Sequence, residues 1–97
     1  MNETTMKTLT FDVYNDPGHG WIKVSKKNLV KFFGDHWRKS FTPYSYERGD
    51  YTFLEEDQDA ATLIQRLKDN QIQPVWRHHY NKTRYSRIRN YSPLQPI

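Results

Sequence analysis

The chain contains no cysteine, which excludes disulfides, thiolate catalysis and cysteine-ligated structural zinc. No apolar run approaches the roughly 20 residues of a membrane span. The opening residues, MNETTMKTLTF, carry no signal-peptide core, so a cytoplasmic protein without membrane contact is expected. Catalytic signatures are missing too: there is no Gly-x-Ser-x-Gly, no phosphate-binding Gly-Lys-Ser/Thr loop and no dinucleotide fingerprint. The reading is therefore a binding protein, not an enzyme, with no cofactor. The last absence is positional. No acidic residue follows Asp69, whereas Arg77, Lys82, Arg84, Arg87 and Arg89 all do. Up to Asp69 the chain is nearly balanced, with 10 Lys or Arg against 11 Asp or Glu. Such asymmetry points to an anionic partner, or to a basic end folded back onto the acidic Glu55–Asp59 segment.

What is present in quantity is aromatic: 7 Tyr, 5 Phe and 3 Trp in 97 residues. Rings burying about 150–250 Å² each can build a core in so polar a chain, and disordered chains are poor in them. The length suits one domain. It is expected to span residues 1–91, followed by a flexible tail over 92–97.

Lys7 to Tyr14 alternates, with Leu9, Phe11 and Val13 on one face, as in a half-buried strand. Asn15-Asp16-Pro17-Gly18 is a turn signal before a second strand, Trp21 to Val24. Ser25 is placed to cap a short helix ending at Gly34. Pro43 to Leu54 reads as two strands around a turn at Glu47–Asp50. Ala60, Leu63, Ile64 and Leu67 form an i, i+3, i+4, i+7 stripe on a helix capped by Asp57 or Asp59. Ile72 to Tyr80 is extended, with Pro74 near its start, and Tyr85 to Tyr91 reads as a further strand. The order β-β-α-β-β-α-β is an α+β fold: a mostly antiparallel sheet of about five strands with two helices on one face.

Three segments carry candidate chemistry. In Gly18-His19-Gly20, two glycines allow close backbone approach and an anion nest, and His19 is a potential acid–base group; turn chemistry explains the same residues. Glu55-Glu56-Asp57-Gln58-Asp59 has carboxylates for a divalent ion, yet acids at a helix N-terminus need no metal. His78 and His79, on opposite faces of a strand, do not share an ion, and no metal site is expected. The C-terminal segment is the main candidate. As a strand it gathers Tyr85, Arg87, Arg89 and Tyr91 on one face, suited to phosphates through arginine forks and to bases through stacking. Arg77, His79, Lys82 and Arg84 widen that surface. The competing reading is a soluble edge strand protected from aggregation by its charges.

DPGHGWIKV, PYSYERGDYTFLEED and YSRIRNYSP together resemble stretches of small proteins carried by bacteriophages and plasmids. The resemblance implies a mobile-element accessory factor in a bacterial host cytosol, of the kind that binds and blocks a host defence complex. Its partner would be a host protein or protein–nucleic-acid complex. Direct DNA or RNA binding, sequestration of a nucleotide signal and a small metal-dependent nuclease are the alternatives, and either a monomer or a homodimer is compatible.

Overall fold

In the computed structural model, which describes residues 7–95, six strands form one mixed sheet. They are β1 (Lys7–Asn15), β2 (Gly20–Ser25), β3 (Tyr46–Arg48), β4 (Tyr51–Glu55), β5 (Ile72–Tyr80) and β6 (Ser92–Pro93). Their spatial order is β5-β1-β2-β4-β3-β6, with β5 parallel to β1 and every other neighbour antiparallel. Helix α1 (Lys26–Phe33) links β2 to β3, and α2 (Gln58–Asp69) links β4 to β5. The α+β class is as expected, with one strand more. No helix among the described residues is long and apolar enough to cross a membrane.

The main core lies between the helices and one face of the sheet. Phe11 and Val13 of β1, Ile22 and Val24 of β2 and Leu54 of β4 meet Leu29 and Phe32 of α1 and Ala60, Leu63 and Leu67 of α2. The alternation of the strands and the stripe of α2 therefore do what their periodicity requires. Ser25 caps α1, its Oγ accepting from the Asn28 N–H at 3.1 Å. Gly34 closes the helix at φ 88°, a conformation that favours glycine. The cap of α2 differs from expectation. Glu55 reaches forward from β4 to accept from the N–H groups of Asp57, Gln58 and Asp59 at 2.9, 2.7 and 3.0 Å. Asp57 makes no capping bond. Asp59 is wholly buried and accepts from Thr42 and Ser45, which ties the entry to β3 onto α2.

Two expectations for the C-terminal end are corrected. Tyr85–Tyr91 is not a strand; it is a strap whose Arg87–Asn90 portion forms a 3-10 turn. Ser86 breaks the extended run by accepting from the Ile88 N–H at 3.1 Å. Ile88 then turns down onto Trp21 and Phe53 in a second, smaller cluster. Residues 92–95 are not a loose tail. Ser92 and Pro93 pair with Glu47 and Tyr46, the Leu94 N–H donates to the Ser45 carbonyl at 2.9 Å, and the Leu94 side chain is buried in the main core. Apolar Leu94 anchors the end of the chain. Pro96 and Ile97 lie outside the described residues.

Candidate functional site

Because side chains alternate along strands, the face opposite the helices carries Asp12 and Tyr14 of β1, Trp21 and Lys23 of β2, Tyr51 and Phe53 of β4, and Arg77 and His79 of β5. The strap crosses this open face. Two carboxylates of β1 and its turn organise it, so the neutralisation of Arg77 and Arg89 comes from Asp12 and Asp16 and not from the Glu55–Asp59 segment.

Asp12 sits between β5 and β2. Arg77 donates to it through Nε at 2.6 Å and Nη2 at 3.1 Å, and His79 Nε2 lies 2.9 Å from the same carboxylate. These contacts hold the Asp12 carboxyl well below the usual range and raise Arg77. His79 also stacks on Tyr14, with ring centroids 4.8 Å apart. His78 faces the other way, 3.4 Å from the Asn15 amide.

Asp16 is the anchor of the strap. Its side chain is fully buried and accepts from the N–H groups of Gly18, His19 and Ser86 at 2.9, 2.9 and 2.8 Å. Arg89 adds a fork at 2.7 and 2.9 Å. The Arg89 fork, followed by the backbone donors, holds the Asp16 carboxyl far below its ordinary value. The backbone nest expected at Gly18–Gly20 thus exists but is filled by the chain's own Asp16. Gly18 lies close under the fork: a Cβ there would stand 2.8 Å from Arg89 Nη2 and would displace the end of that side chain. The Arg89 guanidinium lies 4.5 Å from the Tyr85 ring centroid and 5.4 Å from that of Trp21.

The eight residues chosen from sequence therefore divide. Arg77, His79 and Arg89 are engaged with carboxylates, and Tyr91 packs on Phe53 with Arg48 over its ring. Tyr85 is exposed beneath Arg89. Lys82, Arg84 and Arg87 make no salt bridge among the described residues. Arg87 and Tyr91 share the wall of a cleft of about 320 Å³, floored by Tyr14, Phe53 and Ile88 and rimmed by Lys23 and His79, with no carboxylate in its lining. A second hollow continues past Arg87 and Tyr91 to Arg48 and Lys26. Its one acid, Glu47, is held by Arg38 and Lys26, each at 2.8 Å. Lys23, Arg48, Tyr14 and Phe53 were missed by the sequence reading. The hairpin register, which puts Lys23 beside Asp12, was the signal that could have found the first of them.

The secondary patch lies at another cavity, of about 420 Å³, lined by His19, Trp21, Tyr44, Tyr46, Glu55, Asp57, Gln58 and Arg89. His19 Nδ1 is 3.4 Å from Glu56 Oε1, which brings together the turn and the acidic segment. No group of three or more His, Asp or Glu among the described residues is arranged to hold a metal ion. No family model, curated protein or solved structure matches the chain.

Proposed function

We propose that the protein is a binding factor that captures an anionic partner on the open face of its sheet and so blocks that partner, as an accessory protein of mobile-element type would. The observation that carries this reading is the acid-free cleft, whose lining brings Lys23 and Arg87 together with the rings of Tyr14, Phe53 and Tyr91. Arginine supplies a planar fork for phosphate or carboxylate, and the rings supply apolar area beneath it. The resemblance of the three quoted stretches to phage and plasmid proteins supports the blocking role.

The test is a quantitative capture from bacterial lysate with wild type and with Lys23→Glu/Arg87→Glu. One stoichiometric partner is expected with wild type, lost in the double variant and weakened by salt. Equal recovery by both proteins refutes the choice of face. A second reading rests on the His19–Glu56 contact beside Arg89, an arrangement compatible with acid–base chemistry on a phosphate ester. It predicts hydrolysis of nucleic acid or nucleotide that His19→Ala abolishes; absence of turnover removes it.

A further inference from the structure

The β5 edge adjoins the cleft, which takes in His79 and Tyr80 at its end, but Trp76 and His78 lie outside that lining, and the assignment stands whether or not the cleft holds a ligand. Strand β5 pairs on one side only among the described residues, over nine residues, whereas the opposite edge is the two-residue β6. The direction of its free peptide groups follows from one bond. Asn81 N–H donates to the Asn15 carbonyl at 2.7 Å, with Asn15 in register with Tyr80. In a parallel ladder the N–H and C=O of one residue point to the same side, and successive residues alternate. The odd residues Gln73, Val75, Arg77 and His79 therefore bond to β1. The even residues Pro74, Trp76, His78 and Tyr80 turn their peptide groups outward. Pro74 stands where its missing N–H leaves no ladder bond unmade, as edge prolines do.

We propose that this edge accepts an extended acidic segment of a partner protein as a seventh strand. Trp76, His78 and Tyr80 offer three outward N–H and C=O pairs, the main-chain grip of strand addition. The side chains around them set the partner's pattern. On the open side, Val75 is 44% exposed and is followed by Arg77 and His79, both already bonded to Asp12, so the uncompensated charge comes from further along the chain. Lys82 and Arg84 lie just beyond, and no acid occurs after Asp69. On the helix side the neighbouring strand would meet Trp76 and His78, which also line a hollow of about 210 Å³ that runs inward over Val13, Ile22 and Ile64 and has Glu56 in its lining. An alternation of carboxylates and apolar residues complements both sides. Lys82 and Arg84, which make no salt bridge among the described residues, oppose pairing of this edge with its own copy, because two basic edges would meet. They thus select against self-association and for an acidic strand.

The experiment is residue-resolved amide exchange with a peptide of about eight alternating Glu and Val residues, beside a Lys/Val peptide of equal length. The Glu peptide is expected to slow exchange at Trp76, His78 and Tyr80 by at least about tenfold, while Val75 and Arg77, already bonded to β1, stay unchanged. The Lys peptide is expected to do nothing. His78→Pro removes an outward N–H together with the exposed imidazole that touches Asn15 and Tyr80, at an edge position that tolerates proline, so it should keep the fold and weaken the Glu peptide at least about tenfold; Tyr80→Pro replaces it if His78→Pro unfolds. Equal protection by both peptides, undiminished binding to the proline variant, or protection that reaches Tyr80 and the cleft without Trp76 and His78 would each overturn the proposal. So would protection of the three amides in the free protein, which would mean the chain itself covers the edge, by a second copy if protection rises with concentration.

Discussion

The two faces of the sheet are built by different physics. Against the helices, Leu29, Leu54, Leu63 and Leu67 are wholly buried in a continuous apolar cluster. Across the open face, the strap is held by one small aromatic cluster and by the Asp16 carboxylate, which receives directed hydrogen bonds. The first face resists change through packing density, the second through a few specific contacts. That difference divides the basic end of the chain into cations that hold the fold and cations that reach solvent.

The sharpest way to break the comparison is to remove equivalent bulk from each face. Leu63→Ala is expected to cost about 3–5 kcal/mol in urea unfolding, because a closed core relaxes little around a cavity. Ile88→Ala is expected to cost about 2 kcal/mol or less, since half-exposed Tyr14, Tyr46 and Tyr91 can settle into the space. Equal losses would mean that the strap is as much a core element as α2.

Asp16 comes next. Asp16→Ala leaves the N–H groups of Gly18, His19 and Ser86 and the Arg89 fork without their acceptor. A loss of roughly 3 kcal/mol is expected. It should appear first as trypsin cleavage at Arg84 and Arg87, while the amides of α2 stay protected. Cleavage unchanged from wild type would show that Ile88 alone holds the strap.

How much of this could be read in advance follows the same division. The alternation of Leu9, Phe11 and Val13 and the stripe of Ala60, Leu63 and Leu67 are local signals, and the helix-covered face was legible from them. Asp12 and Asp16 meet partners about seventy residues away, at Arg77 and Arg89, and no local pattern announces such a pairing. The strap failed as a strand for a subtler reason. Tyr85, Arg87, Arg89 and Tyr91 do alternate, but Ser86 offered the backbone a competing bond and Ile88 a place on Trp21 and Phe53. Of the residues chosen from sequence, His79, Arg87 and Tyr91 line the cleft and Lys82 and Arg84 do not; its floor, from Tyr14 and Phe53, comes from strands whose facing against the strap no local pattern shows.

Acid should act on the directed contacts before the packed core. The Arg38 fork, with Lys26 and the Gln95 N–H, lowers the Glu47 carboxyl from 4.5 to about 2. A depressed carboxyl stabilises the fold above its unfolded value, and that contribution is lost as pH falls through the folded one. The pairing should thus be complete above pH 4.5 and fade toward about 2. Asp12 and Asp16, held lower still, should persist to more acid conditions. On lowering pH, amide protection at β3 and β6 is expected to weaken first, with a loss on the order of 2 kcal/mol, which Glu47→Gln should remove from the profile. A profile unchanged by that substitution would place the acid sensitivity elsewhere.

The finest distinction is between two arginines two positions apart. Arg89 is engaged by buried Asp16 and lies over Tyr85 and Trp21. Arg87 makes no salt bridge among the described residues and lines both hollows of the open face. Arg87→Glu should therefore leave stability within about 0.5 kcal/mol, as for an unpaired surface position. It should nonetheless weaken partner capture by about tenfold or more, because it sets a carboxylate in a cleft whose lining has none. Arg89→Glu should reverse the order of effects: it places a second negative charge against Asp16, so thermal stability falls and capture falls with it. If Arg87→Glu alters stability as much as Arg89→Glu does, the separation of holding from reaching cations is wrong. If it leaves both stability and capture untouched, the cleft is not where the partner sits, and the β5 edge becomes the surface to test.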